Sequence, residues 1–148
     1  MIVQPSFRVR LAEWASDEPR LKAIRYQVFV VEQQVPEDLE WDGQDAGCRH
    51  ALAEDRNGNA IGCGRLLPDG HIGRMAVDIN WRGQGVGTAL LERLIELARE
   101  LGYPRLMLNA QVQAMAFYAR HGFTPSGPEF EEAGIAHRSM ERAVVAEQ

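Results

Sequence analysis

Apolar and polar residues alternate from Phe7 to Trp14, with Phe7, Val9 and Leu11 set against Arg8 and Arg10, and this period of two predicts a first strand. The period then lengthens. Leu21, Ile24, Val28 and Val31 recur at helical spacing behind Ser16-Asp17-Glu18-Pro19, which combines a capping hydroxyl, an acidic first turn and a proline that needs no donor. A helix is expected over about residues 17–32. Pro36 to Asp45 predicts a short helical turn and loop. His50 to Glu54 and Ala60 to Leu67 read as strands joined at Asn57-Gly58, a strong hairpin signal, and Asp69-Gly70 turns the chain into a third strand from His71 to Ile79.

Leu90, Leu94, Leu97, Ala98 and Leu101 hold one face of a long helix over about residues 85–101, ended by Gly102 and Pro104. Leu106-Met107-Leu108 is a short buried strand, and Ala114 to His121 a short helix stopped at Gly122-Phe123. From about Pro128 to Val145 two strand-like arms flank Glu132-Ala133-Gly134. The order is β-α-β-β-β-α-β-α-β-β. Strand, helix, strand across residues 71–109 demands a parallel right-handed crossover, whereas the preceding meander demands antiparallel pairing. The expected class is α/β (α+β), with a mixed sheet flanked by helices.

Composition narrows this picture without redirecting it. The chain has 148 residues, 45% hydrophobic and 25% charged, which suits one domain over residues 1–148 and excludes disordered, collagen-like and disulfide-built classes. A net charge of −5 argues against nucleic acid as the main partner. Cys48 and Cys63 lack CxxC spacing and a nearby His cluster, so a reducing compartment is expected and a metal site is not. Met1 to Arg10 has no basic segment leading into an apolar one, and no apolar run nears 18 residues, so neither a signal peptide nor a membrane span is expected. The expected location is cytoplasmic. Five carboxylates between Glu37 and Asp45 (with Asp38, Glu40 and Asp42) form either a solvated loop or an attractor for a cationic acceptor.

The chemistry concentrates in the stretch from Met75 to Thr88. It leaves a strand, turns through Gly83, Gly85 and Gly87, and enters the long helix. Glycines let the backbone approach a ligand, and the helix start offers unpaired N–H groups with partial positive charge, a phosphate site. The alternative is a tight turn and nothing more. A Walker loop needs Gly-Lys-Ser/Thr, and Gly87-Thr88 has no lysine. A dinucleotide fingerprint needs GxGxxG early in a parallel fold with a later acid, and Asn109 and Gln111 stand where that acid belongs.

Arg82-x-x-Gly85-x-Gly87 resembles the Arg/Gln-x-x-Gly-x-Gly/Ala pyrophosphate loop of the GNAT superfamily of N-acetyltransferases. Gln111-x-x-Ala114-x-x-Phe117-Tyr118-x-x-x-Gly122-Phe123 is similar to the second motif of that superfamily, although most members carry Asn in place of Gln111. Val28-Phe29-Val30-Val31-Glu32-Gln33, Asp42-x-x-Asp45, His50 and Glu131-Glu132-x-Gly134-Ile135-x-His137 resemble the ElaA-like branch.

The resemblance implies a GNAT fold of about seven strands and acetyl-CoA, or a near acyl-CoA, as co-substrate, without metal. It implies that main-chain groups of Met75, Ala76 and Val77 pair with the pantetheine arm. Gly83 and the amides of Gln84, Gly85, Val86, Gly87 and Thr88 would hold the pyrophosphate, with Arg82 nearby. A main-chain N–H near Val77 would polarise the thioester oxygen, and Tyr118 would protonate the leaving thiolate; the alternative for Tyr118 is core packing. Gln111 would anchor the pantetheine or cap the following helix. Glu32, His50, Glu131 and His137 are candidates for the base, Glu32 foremost with His137. The implied partner is a small-molecule or peptide amine, not nucleic acid or membrane, and the superfamily's habits allow a homodimer. A protein that binds acyl-CoA without turnover is the alternative function.

Overall fold

The computed structural model describes residues 6–145, so the leader expectation lies partly on residues 1–5, outside the described residues. Seven strands form one sheet in the order β1-β2-β3-β4-β5-β7-β6. They are β1 Phe7–Ala12, β2 Arg49–Asp55, β3 Ala60–Leu66, β4 His71–Val77, β5 Arg105–Gln111, β6 Thr124–Glu132 and β7 Ile135–Ala143. The helices are α1 Trp14–Arg25, α2 Glu37–Glu40, α3 Val86–Leu101 and α4 Met115–Ala119. Every neighbouring pair of strands is antiparallel except β4 and β5, which α3 joins as the crossover. This is the mixed sheet that the pattern predicts, with the seven strands, mostly antiparallel, of the fold that the resemblance implies. Among the described residues no helix is long and apolar enough to cross a membrane.

One sheet face is covered by α3, whose Leu90, Leu91, Leu94 and Ala98 bury against Ala51, Ile61, Leu66, Leu106, Phe123 and Met140. The helix sits close because β3 presents Gly62, where a Cβ would meet Leu90 Cδ1 at 2.9 Å and both the Ala76 oxygen and Val86 Cγ1 at 3.0 Å. The opposite face takes Leu21, Ile24 and Val28 of α1 and its extension, against Leu52, Cys63 and Ala76.

Several boundaries differ from expectation for local reasons. α1 starts at Trp14, ahead of the expected residue 17, because the Asp17 carboxylate accepts the Glu13 N–H at 2.9 Å and is held by Arg10. Pro19 therefore lies inside the helix. Past Arg25 the helix widens into a π turn over Tyr26–Glu32, where the Gln33 N–H reaches the Val28 oxygen at 3.0 Å. The wider turn rotates Val31 off the buried face, leaving it 52% exposed. The hairpin at Asn57-Gly58 exists, but Asp55 builds it by accepting the N–H groups of Asn57 and Asn59, each at 2.9 Å. β5 and β6 are both longer than their apolar runs. β6 lies at the sheet edge, where Pro125 and Pro128 need not donate.

The feature that positions a site is a parting of strands. β4 and β5 pair only at His71↔Met107 and Ile72↔Leu108. Just beyond, the register of β4 on β3 shifts between Cys63 and Arg65, and Arg74 takes a left-handed φ of +53°. Such a bulge bends its strand, here away from β5. The strained residue is fixed by its own guanidinium, which donates to the Leu39 and Glu40 carbonyl oxygens at 3.4 and 3.1 Å.

Candidate active site

A cleft of about 880 Å³ opens where β4 and β5 diverge. Its walls are β4 from Ile72 to Val77, the end of β5 with Asn109 and Gln111, Phe117 and Tyr118 of α4, and Ile135 and His137 of β7. Val28, Phe29 and Gln33 close it on the side of the α1 extension.

The glycine turn enters from the end of β4. The Asp78 carboxylate accepts the Asn80 N–H at 2.8 Å and starts a single tight turn over Ile79–Trp81. Gly85 is the N-cap of α3 with φ +88°, and no side chain caps the helix. A Cβ on Gly85 would meet nothing within 4 Å, so the space beside this bare helix start is open. The N–H groups of Val86, Gly87 and Thr88 have no partner within the helix. Gly87 instead ties the turn to α4, since a Cβ there would lie 3.5 Å from Phe117.

The last residues of β4 present their backbone unequally. Asp78 donates its N–H to the Ile61 oxygen at 2.8 Å, and antiparallel groups alternate in direction, so Val77 turns its N–H away from β3 and toward the gap. Ala76, opposite Cys63, turns its main-chain groups toward β3 instead, which corrects the expectation that it pairs along the cleft. The Val77 oxygen accepts from Arg82 Nε at 3.0 Å.

Arg82 also donates both terminal nitrogens to Glu32, at 2.6 and 2.7 Å. Its hydrogen bonds hold the Glu32 carboxyl below the usual carboxylate range. A group that resists protonation is a poor base, so Glu32 acts here as the partner of the turn. Tyr118 packs against Phe117 and Phe123, and burial pushes its phenol up to about 12. Gln111 does not cap the next helix. It donates to Gln33 at 2.9 Å and accepts from Gln113 at 2.6 Å, bridging β5 to the α1 extension.

The remaining base candidates separate cleanly. His50 is buried outside the cleft, stacked on Trp14 with Nε2 at 2.8 Å from the Asp45 oxygen, and burial lowers its pKa. Glu131 is exposed and does not line the cleft, whereas His137 does.

The acidic stretch divides: Glu37 and Asp38 are exposed on its solvent side, whereas the other three carboxylates are engaged. Glu40, Asp42 and Asp45 alternate with three arginines in a closed ring. Arg25 reaches Glu40 and Asp45 at 2.7 Å each, Arg65 reaches Asp45 and Asp42 at 3.0 and 2.8 Å, and Arg74 reaches Asp42 and Glu40 at 3.5 and 3.1 Å. The ring is neutral and forms part of the cleft floor. Nothing in the local pattern announces it, because each arginine comes from a different element. Only the excess of arginines on otherwise apolar strands could have suggested it.

A family model described as an acetyltransferase (GNAT) domain matches residues 15–144. YjcF of Bacillus subtilis (strain 168), described as an uncharacterized N-acetyltransferase, is 36% identical over 133 residues, covering 85% of this chain and 94% of the relative. An acyl-CoA N-acyltransferase from Pseudomonas aeruginosa has a similar structure, with a TM-score of 0.83 at 33% identity, over 93% of this chain and 100% of that one. Escherichia coli ElaA gives 0.82 at 29% identity, over 91% and 99%.

Proposed function

The chain belongs to the GNAT acetyltransferase family, and from that premise we propose that it moves an acetyl group from acetyl-CoA to a primary amine by direct attack. The observation that carries this reading is the parting of β4 from β5 beside an uncapped helix start. A thioester on a long polar arm fits such a gap, and a pyrophosphate fits the open space at Gly85.

When bound, acetyl-CoA supplies an activated acyl carbonyl and a thiolate leaving group. Met75 and Val77 pair its arm through main-chain groups, as an added strand would. The amides from Gln84 to Thr88 hold the pyrophosphate. Val77 N–H polarises the carbonyl oxygen, and Arg82, by gripping the Val77 oxygen, fixes that donor's plane. Tyr118 is protonated throughout the neutral range and gives its proton to sulfur. The ring beneath the cleft holds Glu40, Asp42 and Asp45 on arginines, so these three carboxylates are not free to draw a cationic acceptor.

The test is thiol release from acetyl-CoA with a panel of polyamines, amino acids, aminoglycosides and peptides. Amine-dependent release is expected. Tight acetyl-CoA binding with no release for any amine would instead indicate a binding module.

A further inference from the structure

Building on the proposed acetyl transfer, we infer that His137 takes the proton from the acceptor amine. The residue is 9% exposed and lines the cleft, and its ring stacks on Phe130 with centroids 5.9 Å apart. Nδ1 lies 2.6 Å from the Ile135 carbonyl oxygen. A carbonyl only accepts, so Nδ1 carries the hydrogen and the neutral ring keeps its lone pair on Nε2. Nε2 has no hydrogen-bond partner among the described residues, and it is not among the sealed polar atoms.

The side of the gap also fits. Met140 points into the core under α3, so by strand alternation His137 and Ser139 face the other way. Ser139 Oγ donates to Asn109 at 2.9 Å, and Gln111, paired with His137 across the strands, meets Gln33 on that same face. Tyr118 packs against the α3 core. Base and acid thus stand on opposite faces, with the nucleophile entering at one and the thiolate leaving at the other. The other titratable groups are engaged or off the path: Glu32 with Arg82, His71 with Asp69 at the closed end of β4, and Glu132 exposed at the rim.

In the step itself, His137 Nε2 accepts one proton from the ammonium group, freeing the lone pair that forms the C–N bond. The C–S bond breaks as Tyr118 protonates sulfur, and the excess proton on the new amide nitrogen returns to Tyr118 through water. The proton on His137 leaves to solvent.

Hydrazides are neutral at pH 7 and need no base before attack, whereas alkylamines do. Thiol release is therefore compared for alkylamines and hydrazides of matched side group in wild type, H137N and E132Q. Asparagine keeps an N–H for the Ile135 carbonyl but lacks Nε2. H137N is expected to lose about 10²-fold with alkylamines and less than about threefold with hydrazides. Equal loss with both, no loss with either in folded H137N, or selective loss in E132Q alone overturns the assignment. Nitrogen-15 NMR of the histidine rings in the unliganded wild type reads the tautomer whether or not the variant folds. A bare Nε2 on His137 is expected, and an Nε2–H tautomer overturns the assignment. Failure of acetyl transfer itself is distinguishable, since the wild type would then release no thiol with either acceptor class, and the assignment would fall with it.

Discussion

Tyr118 holds its proton up to about pH 12 because burial disfavours the phenolate. Phenylalanine keeps the ring and its contacts, so Y118F should lower turnover by about 10²-fold while acetyl-CoA affinity measured by calorimetry changes little. That loss corresponds to about 2.7 kcal/mol of transition-state stabilisation. The sign of the shift sets a second expectation. An acid must be protonated to act, so Tyr118 should produce no alkaline fall in turnover below about pH 11, and a fall near pH 9 that disappears in Y118F would refute this. Glu32 tests the reverse case. Its carboxylate stays ionised beside Arg82, so E32Q should keep turnover within a few-fold of wild type, and a loss of 10² or more would restore it as a base. Tyr118 and the glycine turn were legible in the sequence because their signature is local. The Glu32–Arg82 pair was not, because its members lie 50 positions apart.

The glycine turn and α3 act as one element, and two substitutions separate its functions. Gly85 has φ +88° beside open space, so G85E should place a carboxylate where the pyrophosphate is proposed to sit and abolish acetyl-CoA binding in calorimetry. The far-ultraviolet spectrum should stay native. Gly62 lies under the same helix but against a backbone oxygen that the sheet holds fixed, so G62A should cost about 1–3 kcal/mol in urea unfolding. An unchanged midpoint would mean that α3 can lift without penalty. The core strands and α3 were readable because their periodicity is strong. The π turn after α1 was not, because a wider helix keeps the same residue types and changes only which face they meet. β6 was only half visible, because an edge strand needs no alternating apolar side.

At the scale of the whole molecule, buried charge sets the acid limit. Asp17 is lowered from 3.8 to about 2 by Arg10, and Asp42 likewise to about 2 by Arg65. A lowered carboxyl stabilises the fold above its ordinary value, and that contribution is lost as pH falls from about 4 toward 2, at about 2 kcal/mol for the buried Asp17 and less for Asp42, whose exposure lets solvent screen the pair. Asp45 shifts the same way, since Arg25 and Arg65 outweigh its burial, whereas burial raises Glu40 and opposes the trend. Urea midpoints should therefore fall steeply below pH 4, and D17N should flatten that fall. A midpoint that is level from pH 5 to pH 2.5 would contradict this. The parting of β4 and β5 has a further consequence. A sheet ordinarily keeps its unpaired backbone at its rim, where another chain can add a strand and begin to aggregate. Here the raw edge of β4 lies inside the molecule, walled by the α1 extension on one side and α4 on the other. A narrow ligand can thread that slot, whereas a neighbouring polypeptide, with side chains on both faces, is kept out, so the protein can display a hungry strand without becoming sticky.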